Sequence, residues 1–132
     1  MRNRPGFTLT EVLIAIVVIA VLAGLAVPNF SRTIEQARSN EAVANLNVIR
    51  MGQRIYRLNQ GRFWPAPDGT NSTLGDINNN LNVDLDTEFY NTISVTSTGA
   101  GTAFTATASR GNAGNKQFTI DQDGNVTESG SY

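Results

Sequence analysis

The chain has 132 residues, with 10 Lys plus Arg against 11 Asp plus Glu, a net charge of -1 and 40% hydrophobic residues. That length sets one small domain as the expectation, and the even charge balance gives no electrostatic case for a nucleic-acid partner. With 0 His and 0 Cys there is no imidazole base, no thiol nucleophile, no disulfide and no ordinary zinc site.

Residues 1–6 (MRNRPG) carry Arg2 and Arg4, which the positive-inside rule keeps cytoplasmic. Phe7 to Val27 follows as a segment of 21 residues in which every side chain from Val12 onward is apolar or glycine. At ~1.5 Å per residue it reaches ~31 Å as a helix, about the thickness of a hydrocarbon core. Residues 7–28 are therefore expected to cross a membrane once. Pro28 lacks an N–H and its ring crowds the carbonyl of Gly24, so a bend at Gly24 and Pro28 is expected without ending the helix.

Residues 29–58 continue the helix. Phe30, Ile34, Ala37, Ala44, Val48, Met51, Ile55 and Leu58 recur at three-, four- and seven-residue steps with charged residues between them, an amphipathic stripe. Gly61 and Pro65 stop it. Residues 59–86 read as loop, with one short helix near Leu74 to Leu81. Strand character appears in Thr92 to Ser97, Thr102 to Ser109, Gln117 to Ile120 and Asn125 to Glu128, with glycine-containing turns between. Residues 59–132 are a length at which a core is marginal without help, so the preceding helix is expected to supply one wall. The expected fold is α+β: a long bent N-terminal helix packed by its stripe on a small antiparallel β-sheet.

Asp121-Gln122-Asp123-Gly124-Asn125 has a fragment of calcium-loop spacing, which makes Asp121 and Asp123 the candidate metal ligands. No acidic residue stands at the far position of such a loop, so the stretch is expected to be a hairpin turn without metal. Phe63, Trp64, Phe89, Tyr90, Phe104 and Phe118 read as core and strand-pair aromatics. The carboxylates Asp76, Asp84 and Asp86 fall in no spacing that identifies a reaction, so no enzyme and no cofactor is expected.

Read from the residues, the N-terminus has two meanings. Arg2, Arg4, the apolar run and the small residues Gly24 and Ala26 fit a secretory signal cut after Ala26, which would release a small binding module. Against a cut there, the run exceeds a usual signal core and the helical register continues across the site. Under a retained anchor, a membrane-tethered hydrolase is the other class left open.

Gly6-Phe7-Thr8-Leu9-Thr10-Glu11, followed by the apolar run and Pro28, closely resembles the prepilin signal of type IV pilins and type II secretion pseudopilins. The likeness is specific over Gly6 to about Pro28. It extends loosely to Tyr56, to the "NQGRFWP" helix exit and to the "FTIDQDGNVT" hairpin. The chain departs from many pilins in having no disulfide-bounded loop, and from the major pseudopilin in lacking its acidic calcium loop.

The resemblance implies a subunit of a helical filament: a type IV pilus, a secretion pseudopilus or a DNA-uptake fibre. A prepilin peptidase would cut between Gly6 and Phe7 and methylate the new amine of Phe7. An inner-membrane platform and its ATPase would then add subunits beside other pilin-like proteins. The protein would sit in the bacterial inner membrane with its N-terminus cytoplasmic, then in a periplasmic or extracellular fibre.

Glu11 gains a use in that setting. A lone carboxylate at a helix centre costs ~2.5 to 3.5 kcal/mol to insert, and a cation offsets part of that. The Phe7 amine of a neighbouring subunit would be such a cation and would set register during assembly. The alternative is a carboxylate that only caps its own helix end.

Overall fold

The structure, a computed structural model, describes residues 6–111 and 116–130, apart from the side chains of residues 26–29. Alanine, leucine, arginine, glutamine and glutamate favour a helix, α1, of 52 residues over Leu9–Gln60, in which valine and isoleucine are the weaker formers. Two compact units divide the chain, one through residue 37 and one from Arg38 onward.

In the first unit the apolar side chains of α1 have nothing of this chain over them. Leu13 is 52% exposed, Ile19 64% and Leu25 66%. By length and composition this helix suffices to cross a membrane. As expected, the helix continues through Pro28, whose side chain is not described. At Gly24 an added Cβ would meet nothing within 4 Å, so packing does not require glycine there.

The second unit holds the rest of α1, then β1 (Gly69–Asn71), α2 (Leu74–Leu81), β2 (Thr92–Thr98), β3 (Ala103–Ser109), β4 (Gln117–Asp121) and β5 (Val126–Ser129). The strands form one antiparallel meander in the order β1-β2-β3-β4-β5, with Val95 opposite Ala106 and Ala106 opposite Ile120. Alternate residues point to opposite faces of a sheet. One face therefore gathers Ile93, Val95, Phe104, Ala106, Ala108, Phe118 and Ile120, all buried. The fold is α+β, with the expected short helix at Leu74–Leu81 and the expected turn between β4 and β5.

Three expectations are corrected. The helix meets the sheet through Ala42, Leu46, Ile49 and Gln53, not through the stripe read from the sequence. Met51, Ile55 and Leu58 are 66%, 57% and 86% exposed. Both faces of this helix are apolar, so periodicity alone does not say which one is buried. Gln53 masks the inner face further: it is fully buried, its Oε1 accepting the Trp64 N–H at 2.9 Å while its Nε2 donates to the Trp64 carbonyl. That pair of bonds satisfies the amide and ties the helix to the chain that leaves it.

The second correction is β1, which lies in the stretch expected to be loop. Its Gly-Thr-Asn sequence has turn character, and its pairing with Val95 to Ser97 supplies the strand. Gly52 sets the approach of the loop after α2, because a Cβ there would stand 2.9 Å from Leu81 Cβ and from Val83 Cγ1. The aromatics largely pack as expected, with Phe63 on Phe104 at 4.9 Å and Tyr90 edge-on to Phe118 at 5.5 Å. Phe89 is instead half-exposed beneath the Arg38 guanidinium.

Candidate functional site

The N-terminal end of α1 is open. Phe7 is 87% exposed, and together with Leu9, Val12, Leu13 and Ile16 it lines a shallow apolar surface. A Cβ added to Gly6 would meet nothing within 4 Å. The subunit's own packing therefore does not demand glycine at position 6, and any such demand comes from outside the subunit.

Thr8 and Glu11 close the helix end between them. The Glu11 Oε2 accepts the Thr8 N–H and the Thr8 hydroxyl, both at 2.9 Å, while the Glu11 N–H donates to Thr8 Oγ1 at 3.2 Å. This is the reciprocal capping box of a Thr-x-x-Glu sequence, which satisfies donors that a helix start otherwise leaves free. The sequence reading weighed Glu11 and missed Thr8, although the three-residue spacing was there to find. In the single subunit the carboxylate is thus engaged within its own helix. Its second oxygen, Oε1, has no partner among the described residues.

The β4–β5 turn spends its acidic groups locally. Asp121 Oδ1 accepts the N–H groups of Asp123, Gly124 and Asn125 at 2.9, 2.8 and 2.9 Å, and Oδ2 accepts Asn125 Nδ2 at 2.8 Å. These bonds, led by the Asn125 side chain, hold the Asp121 carboxyl below the ordinary aspartate value. The Asp123 carbonyl accepts from Arg50 Nη2 at 2.7 Å. Gly124, with φ +95°, leaves room for that guanidinium, whose Cζ would stand 2.6 Å from an added Cβ. Among the described residues, no group of three or more acidic, His or Cys side chains is placed to hold a metal ion.

Asp76 takes part in the cap region of α2, accepting from Asn71 Nδ2 at 3.1 Å. Asp84 and Asp86 lie exposed on the extended stretch after that helix.

The described residues thus combine a small α+β unit with an apolar helix that this chain leaves bare and that is long enough to cross a membrane. The first 27 residues match the family model of the prokaryotic N-terminal methylation motif. Among curated proteins the chain is 32% identical over 73 residues to the type II secretion system core protein G of Aeromonas hydrophila, 55% of this chain and 51% of that protein. It is 36% identical over 63 residues to the type IV wide pilus major component of Thermus thermophilus, 48% of each chain. To the type IV major pilin of Myxococcus xanthus it is 36% identical over 62 residues, 47% of this chain and 28% of that one. The chain spans about half the length of the curated relatives that it matches first. No solved structure matches it. Together the motif and these relatives support a pilin or pseudopilin family.

Proposed function

We propose that the protein is a structural subunit of a type IV pilus-like or type II secretion pseudopilus filament, and not an enzyme. Residues 1–6 are the leader, 7–28 the membrane and fibre-core helix, 29–58 its amphipathic continuation and 59–132 the remainder of the head. Prepilin peptidase cuts after Gly6 and methylates Phe7. The inner-membrane platform and its ATPase then move the subunit out of the membrane and into the fibre, beside copies of itself and other pilin-like subunits.

The observation that carries this reading is the pairing of the methylation motif with an apolar helix face that the chain itself leaves bare. Water cannot cover so long an apolar surface without cost, so its resting place is lipid or other helices. Glu11 fits both settings. Its capping bonds to Thr8 lower the charge's demand for water while the subunit waits in the membrane. On assembly the same carboxylate is offered to the methylated amine of a neighbour's Phe7. Gly24 and Pro28 give the helix a place to yield when the fibre bends.

Intact-mass measurement on the protein from its native cell tests the reading. The expected species has lost Met1 to Gly6 and gained one methyl group. Loss of residues through Ala26 would mean a secretory signal and a released module, and would overturn the filament.

A further inference from the structure

The head carries opposite charges on the two sides of its helix. At about 100° per residue, the buried residues Ala42, Leu46 and Ile49 define one direction of α1, and the exposed Val48, Met51 and Ile55 point nearly the opposite way. Arg50, Arg54 and Arg57 line one flank between these faces, on the side of the β4–β5 turn, where Arg50 Nη2 reaches the Asp123 carbonyl at 2.7 Å. The other flank carries the extended stretch after α2. It is held there by Asn45 Nδ2 donating to the Asp86 carbonyl at 3.1 Å and by Glu41 Oε1 accepting the Glu88 N–H at 3.0 Å. Along that stretch Leu85 turns inward, and Asp84, Asp86 and Glu88 alternate outward into solvent.

Neither flank is neutralised within the subunit. Arg54 has no carboxylate partner among the described residues, and Asp84, Asp86 and Glu88 have no cationic one. Arg57 lies over the Phe63 ring at 4.8 Å, which leaves the charge itself at the surface. The arginines stand at i, i+4 and i+7, where like charges repel. The groove beside them is lined by Arg54, Arg57, Leu58 and Asp123.

We propose that the arginine flank is a docking surface for the acidic stretch, Asp84 to Glu88, of a second copy of this chain. The inference rests on the filament reading and deepens it. With the exposed apolar ridge of Val48, Met51 and Ile55 turned to the fibre axis, the two charged flanks face the neighbours on either side. The contact joins two different patches, so it is head-to-tail and repeats without closing, as a helical fibre requires. Asn45, which holds Asp86, precedes Arg54 by 9 residues, so copies docked with Asp86 at Arg54 are displaced by ~14 Å along the helix. A charge pairing of this kind selects one register and one direction of growth.

The test uses the full chain in a cell that assembles the filament, reading the variant in sheared filaments against its membrane pool. Arg54→Glu is expected to lower incorporation roughly tenfold, because it sets carboxylates against carboxylates. Adding Asp84→Arg and Asp86→Arg to the same chain is expected to restore most of it. Because the chain has 0 Cys, a chain with Arg54→Cys and Asp86→Cys should give a ladder of oxidised multimers in filaments and no background from other thiols. Wild-type incorporation of Arg54→Glu, or filaments of the double-cysteine chain without that ladder, overturns the docking and leaves the filament reading standing. A wild-type chain that forms no filaments overturns both.

Discussion

The two parts of α1 use the same kinds of residue for opposite ends. Before residue 37 the helix exposes Leu13, Ile19 and Leu25 by half or more, whereas after Arg38 it buries Ala42, Leu46 and Ile49 completely. The second unit spends its apolar surface on folding, whereas the first part of the helix leaves its own bare within this chain. Stability and assembly are therefore expected to respond to different residues, even though one helix carries both.

The largest contrast is between Leu46 and Ile16. Leu46→Ala removes a fully buried side chain and should destabilise the head by about 2–5 kcal/mol. Ile16→Ala, at a residue 58% exposed, should leave the head's stability unchanged. Thermal unfolding of the full chain in detergent, followed through the single tryptophan, Trp64, separates the two. Gln53→Ala should cost less, about 1–3 kcal/mol, by leaving the Trp64 N–H buried without its acceptor. A loss within error in that variant would mean that the chain after the helix is held by packing alone.

The smallest effect concerns Asp121. Its carboxyl is held low by Asn125 and the turn's amides. Its contribution is therefore present above the ordinary aspartate value near pH ~4 and is lost as pH falls through the lowered one. The wild type should lose a little more stability on acidification below that range than Asp121→Asn, which carries no charge to lose. Equal acid profiles would show that the charge of the Asp121 carboxylate adds nothing to the stability of the turn.

The fold was largely readable because its signals are local. The uninterrupted apolar run, the alternation in Ile93 to Ser97 and the glycine turns each report on their own segment. What failed was the choice of face. Val48, Met51, Ile55 and Leu58 share the three- and four-residue steps of Ala42, Leu46, Ile49 and Gln53 but have no polar member, and a buried glutamine has no signature before its partner, Trp64, is in place. β1 failed for a related reason, since three residues of Gly-Thr-Asn become a strand only through β2. At the N-terminus the first residues were legible by resemblance as an N-terminal methylation motif, and the cleavage and assembly roles given to Gly6, Phe7 and Glu11 belong to the proposed filament. The Thr8 to Glu11 cap was legible from spacing alone and was overlooked because Glu11 was considered without its neighbour.

The central claim is that the bare helix is an assembly element and that Glu11 sets its register. Glu11→Ala measures this most directly, as the amount of variant in sheared filaments relative to its membrane pool, with the cleaved mass checked in the same sample. Membrane insertion and cleavage after Gly6 should persist, because the variant removes a carboxylate that resists the apolar phase. Incorporation should fall sharply, with a residual fraction when wild type is co-expressed, since the variant still carries its own Phe7 amine. Wild-type incorporation of Glu11→Ala would show that the carboxylate only caps its helix with Thr8, and would contradict the account.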